Sequence, residues 1–190
     1  MSVTRRKIFK ITLLGEGAVG KTALRHRYLG EGFKQNYSMT IGADFAVKRV
    51  MIDGQEYVAQ IWDLAGQVRF QSVREVYYQG TLGALLVFDI TRPKTLDAIP
   101  NWIKELMEHN RSPVVPMVLI GNKSDLRAEN PNAISREVGE QYARSLSQWS
   151  GFEVPYVETS AKTGENVEEA FVTLLRNITK YIEQRRKQEK

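Results

Sequence analysis

Four short, nearly unbroken apolar runs punctuate the chain: Ile8–Leu14, Gly83–Asp89, Val115–Gly121 and Val154–Thr159. Runs of this length and composition read as buried strands of a parallel sheet. Helical patterns separate them at Ala23–Leu29, Leu96–Glu108, Arg136–Trp149 and Val167–Tyr181. In the last, Val167, Ala170, Phe171, Leu174, Leu175 and Ile178 keep the i, i+3, i+4 spacing of one helix face. The alternation breaks once. Asp44–Ile52 and Glu56–Trp62 flank Asp53-Gly54, a strong hairpin-turn pair, so one edge strand is expected to run antiparallel. The expected fold is three-layer α/β: about six strands, mostly parallel, covered by about five helices. Ligands are then expected beyond the carboxyl ends of the parallel strands.

No internal repeat, low-complexity segment or Pro/Gly/Ser-rich linker divides the 190 residues. A chain of this length suits one domain with a full core. The expected division is a basic N-terminal extension over 1–7, one domain over 8–182 and a basic C-terminal tail over 183–190. No run of 18 apolar residues occurs, and the N-terminal apolar stretch is too short and interrupted for a signal peptide. Cysteine is absent, which removes disulfides, thiolate metal sites and lipidation on cysteine from this chain and fits a cytoplasmic setting.

The net charge of +5 sits at the two ends. Arg5, Arg6, Lys7 and Lys10 have no acid among them; Lys180, Arg185, Arg186, Lys187 and Lys190 stand against Glu183 and Glu189. The body between is slightly acidic. A nucleic-acid binder more often carries a basic face on the folded body, so no nucleic-acid partner is expected. Basic ends in solvent are the plain reading; weak electrostatic contact with an anionic membrane is the functional one.

One motif carries more chemistry than the rest. Gly15-Glu16-Gly17-Ala18-Val19-Gly20-Lys21-Thr22 fits G-x-x-x-x-G-K-[ST], after a strand pattern and before a helix that opens at Ala23. Glycines let the backbone curl so that successive N–H groups point at phosphate oxygens. Lys21 supplies a cation for the β- and γ-phosphates, and Thr22 a hydroxyl for Mg²⁺. The helix adds its positive dipole end.

Further motifs follow at strand ends. Asp63, in Ile61-Trp62-Asp63-Leu64-Ala65-Gly66-Gln67, can hold Mg²⁺ through a water. Gly66 can bring its N–H to the γ-phosphate, and Gln67 can orient an attacking water. In Asn122-Lys123-Ser124-Asp125, the aspartate can accept from guanine N1–H and N2–H₂, a donor pair that adenine lacks. Rejection of the analogue without those donors is the strongly discriminating kind. Lys123 can lie along the base plane, and Asn122 can tie this loop to the phosphate loop. In Ser160-Ala161-Lys162, backbone N–H groups can meet guanine O6.

With these motifs in order over residues 8–182, the chain resembles a Ras-superfamily small GTPase, and most of all the Rab branch. Tyr37-Ser38-Met39-Thr40-Ile41-Gly42-Ala43-Asp44-Phe45 resembles the first Rab switch; Trp62 to Phe70, with Tyr77-Tyr78-Gln79-Gly80, resembles the second. The resemblance implies a P-loop small G domain that binds GTP and GDP with Mg²⁺ and hydrolyses GTP slowly. Gln67 and Lys21 would be catalytic; Thr22, Thr40 and Asp63 would face the metal. Gly15, Gly17, Ala18, Val19, Gly20, Ala23, Phe33, Tyr37, Gly66, Asn122, Lys123, Asp125, Ser160, Ala161 and Lys162 would complete the nucleotide site. It also implies a monomer with effectors, an exchange factor and a GTPase-activating protein as partners, and a place at membranes. Phe45, Trp62 and Tyr77 match the aromatic triad that Rab effectors contact, although plain strand and helix packing fits them too.

Several positions depart from the family pattern. Leu64 replaces a threonine, Met39 a proline or lysine-type residue, and Val68 a glutamate. Arg69 lies near Gln67 but reads as solvated or partner-binding, so no arginine in cis is expected to assist. Ser147 to Phe152 looks like a small insertion in which Trp149 is expected to pack. The chain stops at Lys190 without a prenylation cysteine: either the tail has been removed, or the protein works without that anchor. Two rival readings are another P-loop enzyme acting on ATP, against which Asn122-Lys123-Ser124-Asp125 argues, and a non-hydrolysing GTP-binding scaffold, against which the intact catalytic positions argue.

Overall fold

The computed structural model describes residues 7–34, 39–110 and 114–188. In chain order it comprises β1 (Lys7–Leu14), α1 (Lys21–Leu29), β2 (Ala43–Ile52), β3 (Gln55–Leu64), α2 (Gln71–Arg74) and β4 (Gly83–Asp89). Then follow α3 (Lys94–Asp97), α4 (Ile99–Asn110), β5 (Met117–Asn122), α5 (Arg136–Ser150), β6 (Tyr156–Thr159) and α6 (Val167–Gln188). The six strands form one sheet in the order β2-β3-β1-β4-β5-β6. Every neighbour pair is parallel except β2 with β3, whose hairpin turns at Asp53-Gly54. The antiparallel strand is therefore at the edge, as the turn signal indicates.

The two-residue period of a strand sorts the core into two layers. Leu85 and Val87 of β4 join Leu24, Phe171, Leu174 and Ile178, so α1 and α6 cover one face. Ala84, Leu86 and Phe88 join Trp102, Ile103, Ala143 and Leu146, so α4 and α5 cover the other. All seven residues of β4 are buried. That double burial explains why the run lacks polar alternation.

Several boundaries differ from the expected ones. The apolar runs from Val115 and Val154 enter the core before their strands begin, at Met117 and Tyr156. Pro116 and Pro155 accept from Ala84 and Leu119 but have no N–H to return to a ladder. The single helix expected over Leu96–Glu108 is two, α3 and α4, because Pro100 lacks the N–H that would carry a helix across Ala98. That break brings the helices to six among the described residues. At the end, α6 runs to Gln188, so residues 183–188 continue a helix rather than form a separate tail. The apolar stripe fades there, but Glu183, Gln184, Arg185, Arg186 and Lys187 are good helix formers. Lys7 belongs to β1 and not to an extension. Trp149 does not pack as expected: it is 54% exposed, while Phe152 meets Tyr181 edge-on at 5.1 Å.

Candidate functional site

A cavity of about 730 Å³ lies at the carboxyl ends of the parallel strands, lined by residues from every motif singled out above. Its floor is the turn from β1 into α1. Gly20 precedes the helix with φ 103° and no side chain caps the helix end, so the first N–H groups of α1 stay open to the cavity. Close approach explains three glycines. A Cβ on Gly15 would lie 2.1 Å from the Val87 carbonyl oxygen, and one on Gly20 2.2 Å from Asn122 Nδ2. A Cβ on Gly66 would lie 2.5 Å from the Glu16 carbonyl carbon and the Gly17 nitrogen, so this glycine is pressed against the loop backbone. Ala18 holds φ 62° without being glycine.

Lys21 is buried and its ammonium donates to the Gly15 carbonyl at 2.6 Å and the Glu16 carbonyl at 3.0 Å. Burial pushes its pKa down to about 8, although the carboxylates of Asp63 and Glu16 pull the other way. Beside it three oxygens from three segments converge. Thr22 Oγ1 is 2.5 Å from Asp63 Oδ2 and 3.1 Å from Thr40 Oγ1; Thr40 Oγ1 is 3.2 Å from the same carboxylate oxygen. The other oxygen, Asp63 Oδ1, is buried with no hydrogen-bond partner. Burial raises the Asp63 pKa against the opposing pull of Lys21 and the two hydroxyls. One carboxylate and two hydroxyls form a hard, oxygen-only set, and the unpartnered oxygen is an unmet demand for a cation or its water. These residues fit Mg²⁺, which keeps several waters and needs few protein ligands.

Asn122 joins three loops through one amide. Its Nδ2 donates to the Val19 carbonyl at 2.8 Å, while its Oδ1 accepts from Thr159 Oγ1 at 3.0 Å and Ala161 N at 3.3 Å. Lys123 follows in the left-handed region at φ 70° and lines the cavity. Its ammonium is 2.7 Å from Asp89 Oδ2. Asp125 also lines the cavity and accepts from Ser160 Oγ at 2.6 Å, so the loops after β5 and β6 are fastened to each other. Arg27 of α1 steadies the second loop from below, donating to the Ala161 carbonyl at 2.9 Å and to the Lys162 carbonyl.

The cavity wall includes Gly17, Ala18, Gly20, Lys21, Thr22, Ala23, Phe33, Thr40, Gly66, Gln67, Asn122, Lys123, Asp125, Ala161 and Lys162. Gly15, Val19, Asp63 and Ser160 stand just behind it, where they hold the loops and the hydroxyl pair. Tyr37 lies outside the described residues. Met39 and Leu64, two departures from the family pattern, also line the wall, and Gln67 and Arg69 both approach the Met39 sulfur. Phe45, Trp62 and Tyr77 form a continuous aromatic run with centroid spacings of 5.0 and 5.4 Å.

No motif pointed to several other residues around the cavity. Arg92, after β4, donates to the Gly17 carbonyl at 2.9 Å and to Asp89 at 3.1 Å. Trp102 of α4 donates to Glu16 at 3.3 Å. Arg74 of α2 pairs with Glu105 of α4 and also reaches the Ala65 and Gln67 carbonyls. The one sequence signal for such residues is a charge on an otherwise buried helix face, as Glu105 is on α4.

Comparison with known proteins gives a consistent result. The Ras family model matches residues 10–180. The chain is 42% identical over 178 residues to Ras-related protein Rab-8B of Homo sapiens, covering 94% of this chain and 82% of that protein. It is also 42% identical to Ras-related protein Rab-8 of Diplobatis ommata, covering 94% and 80%, and 40% identical to Ras-related protein Rab-8A of Gallus gallus, covering 94% and 82%.

Proposed function

The chain belongs to the Ras family, as a Rab-like small GTPase that hydrolyses GTP to GDP, and on that premise we propose how its own residues perform the reaction. The cavity takes the nucleotide with its phosphates over Gly15–Thr22 and its base between Asn122–Asp125 and Ser160–Lys162. Asp125 accepts from the guanine N1–H and N2–H₂ edge, and backbone N–H groups of the Ser160–Lys162 loop meet O6. Adenine lacks that donor pair and would leave the carboxylate's base-facing hydrogen bonds unmade, which is the basis of selection.

Thr22, Thr40 and Asp63 hold the metal side of the phosphates. The observation that carries this reading is their convergence within 3.2 Å around a carboxylate whose second oxygen has no partner. Mg²⁺, when bound, neutralises charge on the β- and γ-phosphate oxygens. Lys21 leaves its two carbonyl partners for the phosphates. Gly66 brings its N–H to the γ-phosphate, and Gln67 orients the attacking water. Since Thr40 and Gly66 stand in the two switch segments, about 33–43 and 64–79, loss of the γ-phosphate releases both. Effectors then read the triphosphate state across Phe45, Trp62 and Tyr77. An exchange factor and a GTPase-activating protein set the timing, as in the family. The setting is cytoplasmic and peripheral to membranes, in membrane traffic, with the basic residues of α6 giving weak, salt-sensitive contact.

Single-turnover hydrolysis of GTP and of ATP, with Mg²⁺, in the wild-type chain and in Gln67→Leu, tests the reading. Slow GTP cleavage, no ATP cleavage and a loss of about 10-fold or more in the variant are expected. Equal cleavage of both nucleotides would remove guanine selection. Equal GTP rates in both proteins would remove the role of Gln67.

A further inference from the structure

The second switch segment has little to hold it in place except side chains. α2 is four residues long and lies between two single 3₁₀ turns, Val68–Phe70 and Glu75–Tyr77. A helix so short has no stability of its own. Val68 and Val76 on the outward side are 76% and 72% exposed. Inward, Arg74 and Tyr78 are fully buried against α4.

From this arrangement we infer that Arg74 is a positioning residue for Gln67, held in register by Glu105. Arg74 Nε and Nη2 donate to the two Glu105 oxygens at 2.5 and 2.8 Å, a bidentate pair. Tyr78 Oη adds a third bond to Glu105 at 2.9 Å. The remaining Arg74 nitrogen, Nη1, donates to the Ala65 carbonyl at 3.1 Å and the Gln67 carbonyl at 2.9 Å. Those two carbonyls bracket Gly66, the residue pressed on the phosphate loop. The guanidinium lies 4.4 Å from the Trp102 ring centroid, and Trp102 in turn bonds Glu16 of that loop. One side chain of α2 therefore fixes the backbone on both sides of Gly66, and α4 fixes that side chain.

A buried ion pair is poorly explained as a stabiliser, because apolar residues of like size commonly serve as well or better. What it supplies is geometry. Two donors from one planar group set the Ala65 and Gln67 carbonyls at a fixed separation, and the fork to Glu105 fixes the plane. Lysine could neutralise Glu105, but its three donors on one atom cannot replace the four bonds that hold both Glu105 oxygens and both carbonyls. A displacement of about 1 Å in a group that orients the nucleophile costs up to roughly 100-fold in rate. The inference rests on the role assigned to Gln67 above.

The test is single-turnover GTP hydrolysis in Arg74→Lys, with GDP release and melting temperature measured on the same protein. A companion triple variant, Arg74→Met with Glu105→Met and Tyr78→Phe, removes the network without leaving a buried charge or an unpaired hydroxyl. Both are expected to hydrolyse about 10-fold more slowly and to release GDP within about 2-fold of wild type. Placed in the Gln67→Leu background, Arg74→Lys is expected to slow hydrolysis no further, because residues acting through one another are not additive. An equal slowing in both backgrounds would show a general structural role and overturn the inference. So would a wild-type rate in Arg74→Lys together with a slow Gln67→Leu, which leaves the role of Gln67 standing. A wild-type rate in Gln67→Leu would instead remove that role and the inference with it.

Discussion

Asp89 braces a cavity-lining lysine, Lys123, from behind the wall. It is 1% exposed, which alone would raise its pKa. Hydrogen bonds from the Lys123 ammonium and from Thr91 outweigh that burial and hold its carboxyl below the usual range. A carboxyl with a lowered folded pKa contributes stability that is present above its unfolded value and is lost as pH falls through the folded value. Urea midpoints measured from neutral to acid pH should therefore decline, with a smaller decline below the ordinary aspartate range in Asp89→Asn. Parallel declines in the two proteins would show that Asp89 contributes nothing. The candidate-site residues legible in the sequence stand in short motifs of fixed spacing: Gly15–Thr22, Asp63 with Gln67, Asn122–Asp125 and Ser160–Lys162. Arg92 and Arg74 belong to no motif of fixed spacing, and Glu105 is marked only by its charge on a buried helix face, so the fold alone shows their pairings.

Among elements, β6 and α5 meet through a tyrosine seated on two glycines. A Cβ on Gly139 of α5 would lie 2.2 Å from Tyr156 Cζ, and one on Gly121 of β5 2.3 Å from Tyr156 Oη. In an exposed helix, glycine to alanine gains about 1 kcal/mol. Here the clash is expected to win, at roughly 1–3 kcal/mol of net destabilisation. Gly139→Ala should melt at lower temperature than the wild type, and Tyr156→Val should relieve much of that difference in a double variant. A raised melting temperature in Gly139→Ala would contradict this packing. Hydropathy marked four strands as apolar runs and α1, α4, α5 and α6 by their helical pattern, the Asp53-Gly54 turn marked β2 and β3, and α2 had no such signal. The apolar pattern misplaced the starts of β5 and β6 and joined α3 to α4, because Pro116, Pro155 and Pro100 change hydrogen bonding without changing hydropathy. It also ended α6 too soon, because a polar helix end leaves no apolar stripe.

For the molecule as a whole, ligand and fold are linked. The cavity draws on loops after β1, β3, β5 and β6, so it exists only in the folded chain. A ligand that binds only the folded form at 100 times its Kd stabilises by about 2.7 kcal/mol. For a chain of this size that corresponds to about 5–10 °C in Tm. GDP with Mg²⁺ should raise Tm on that scale, and chelating the metal should return part of the gain. No response of Tm to either would argue against the metal reading of Thr22, Thr40 and Asp63. The sheet order was not written in any one motif, but the strand–helix alternation and the Asp53-Gly54 turn together left few arrangements.

The amide of Asn122 has a further consequence, for the order in which the protein is made. Val19 leaves the ribosome more than a hundred residues before the side chain that clasps its carbonyl, and Thr159 and Ala161 follow later still. The loop after β1 is thus synthesised early, and the loops after β5 and β6 that complete the cavity follow late. The cavity therefore cannot close until the loop after β6 has emerged, so a ligand that needs all of its loops is bound late in synthesis or after it.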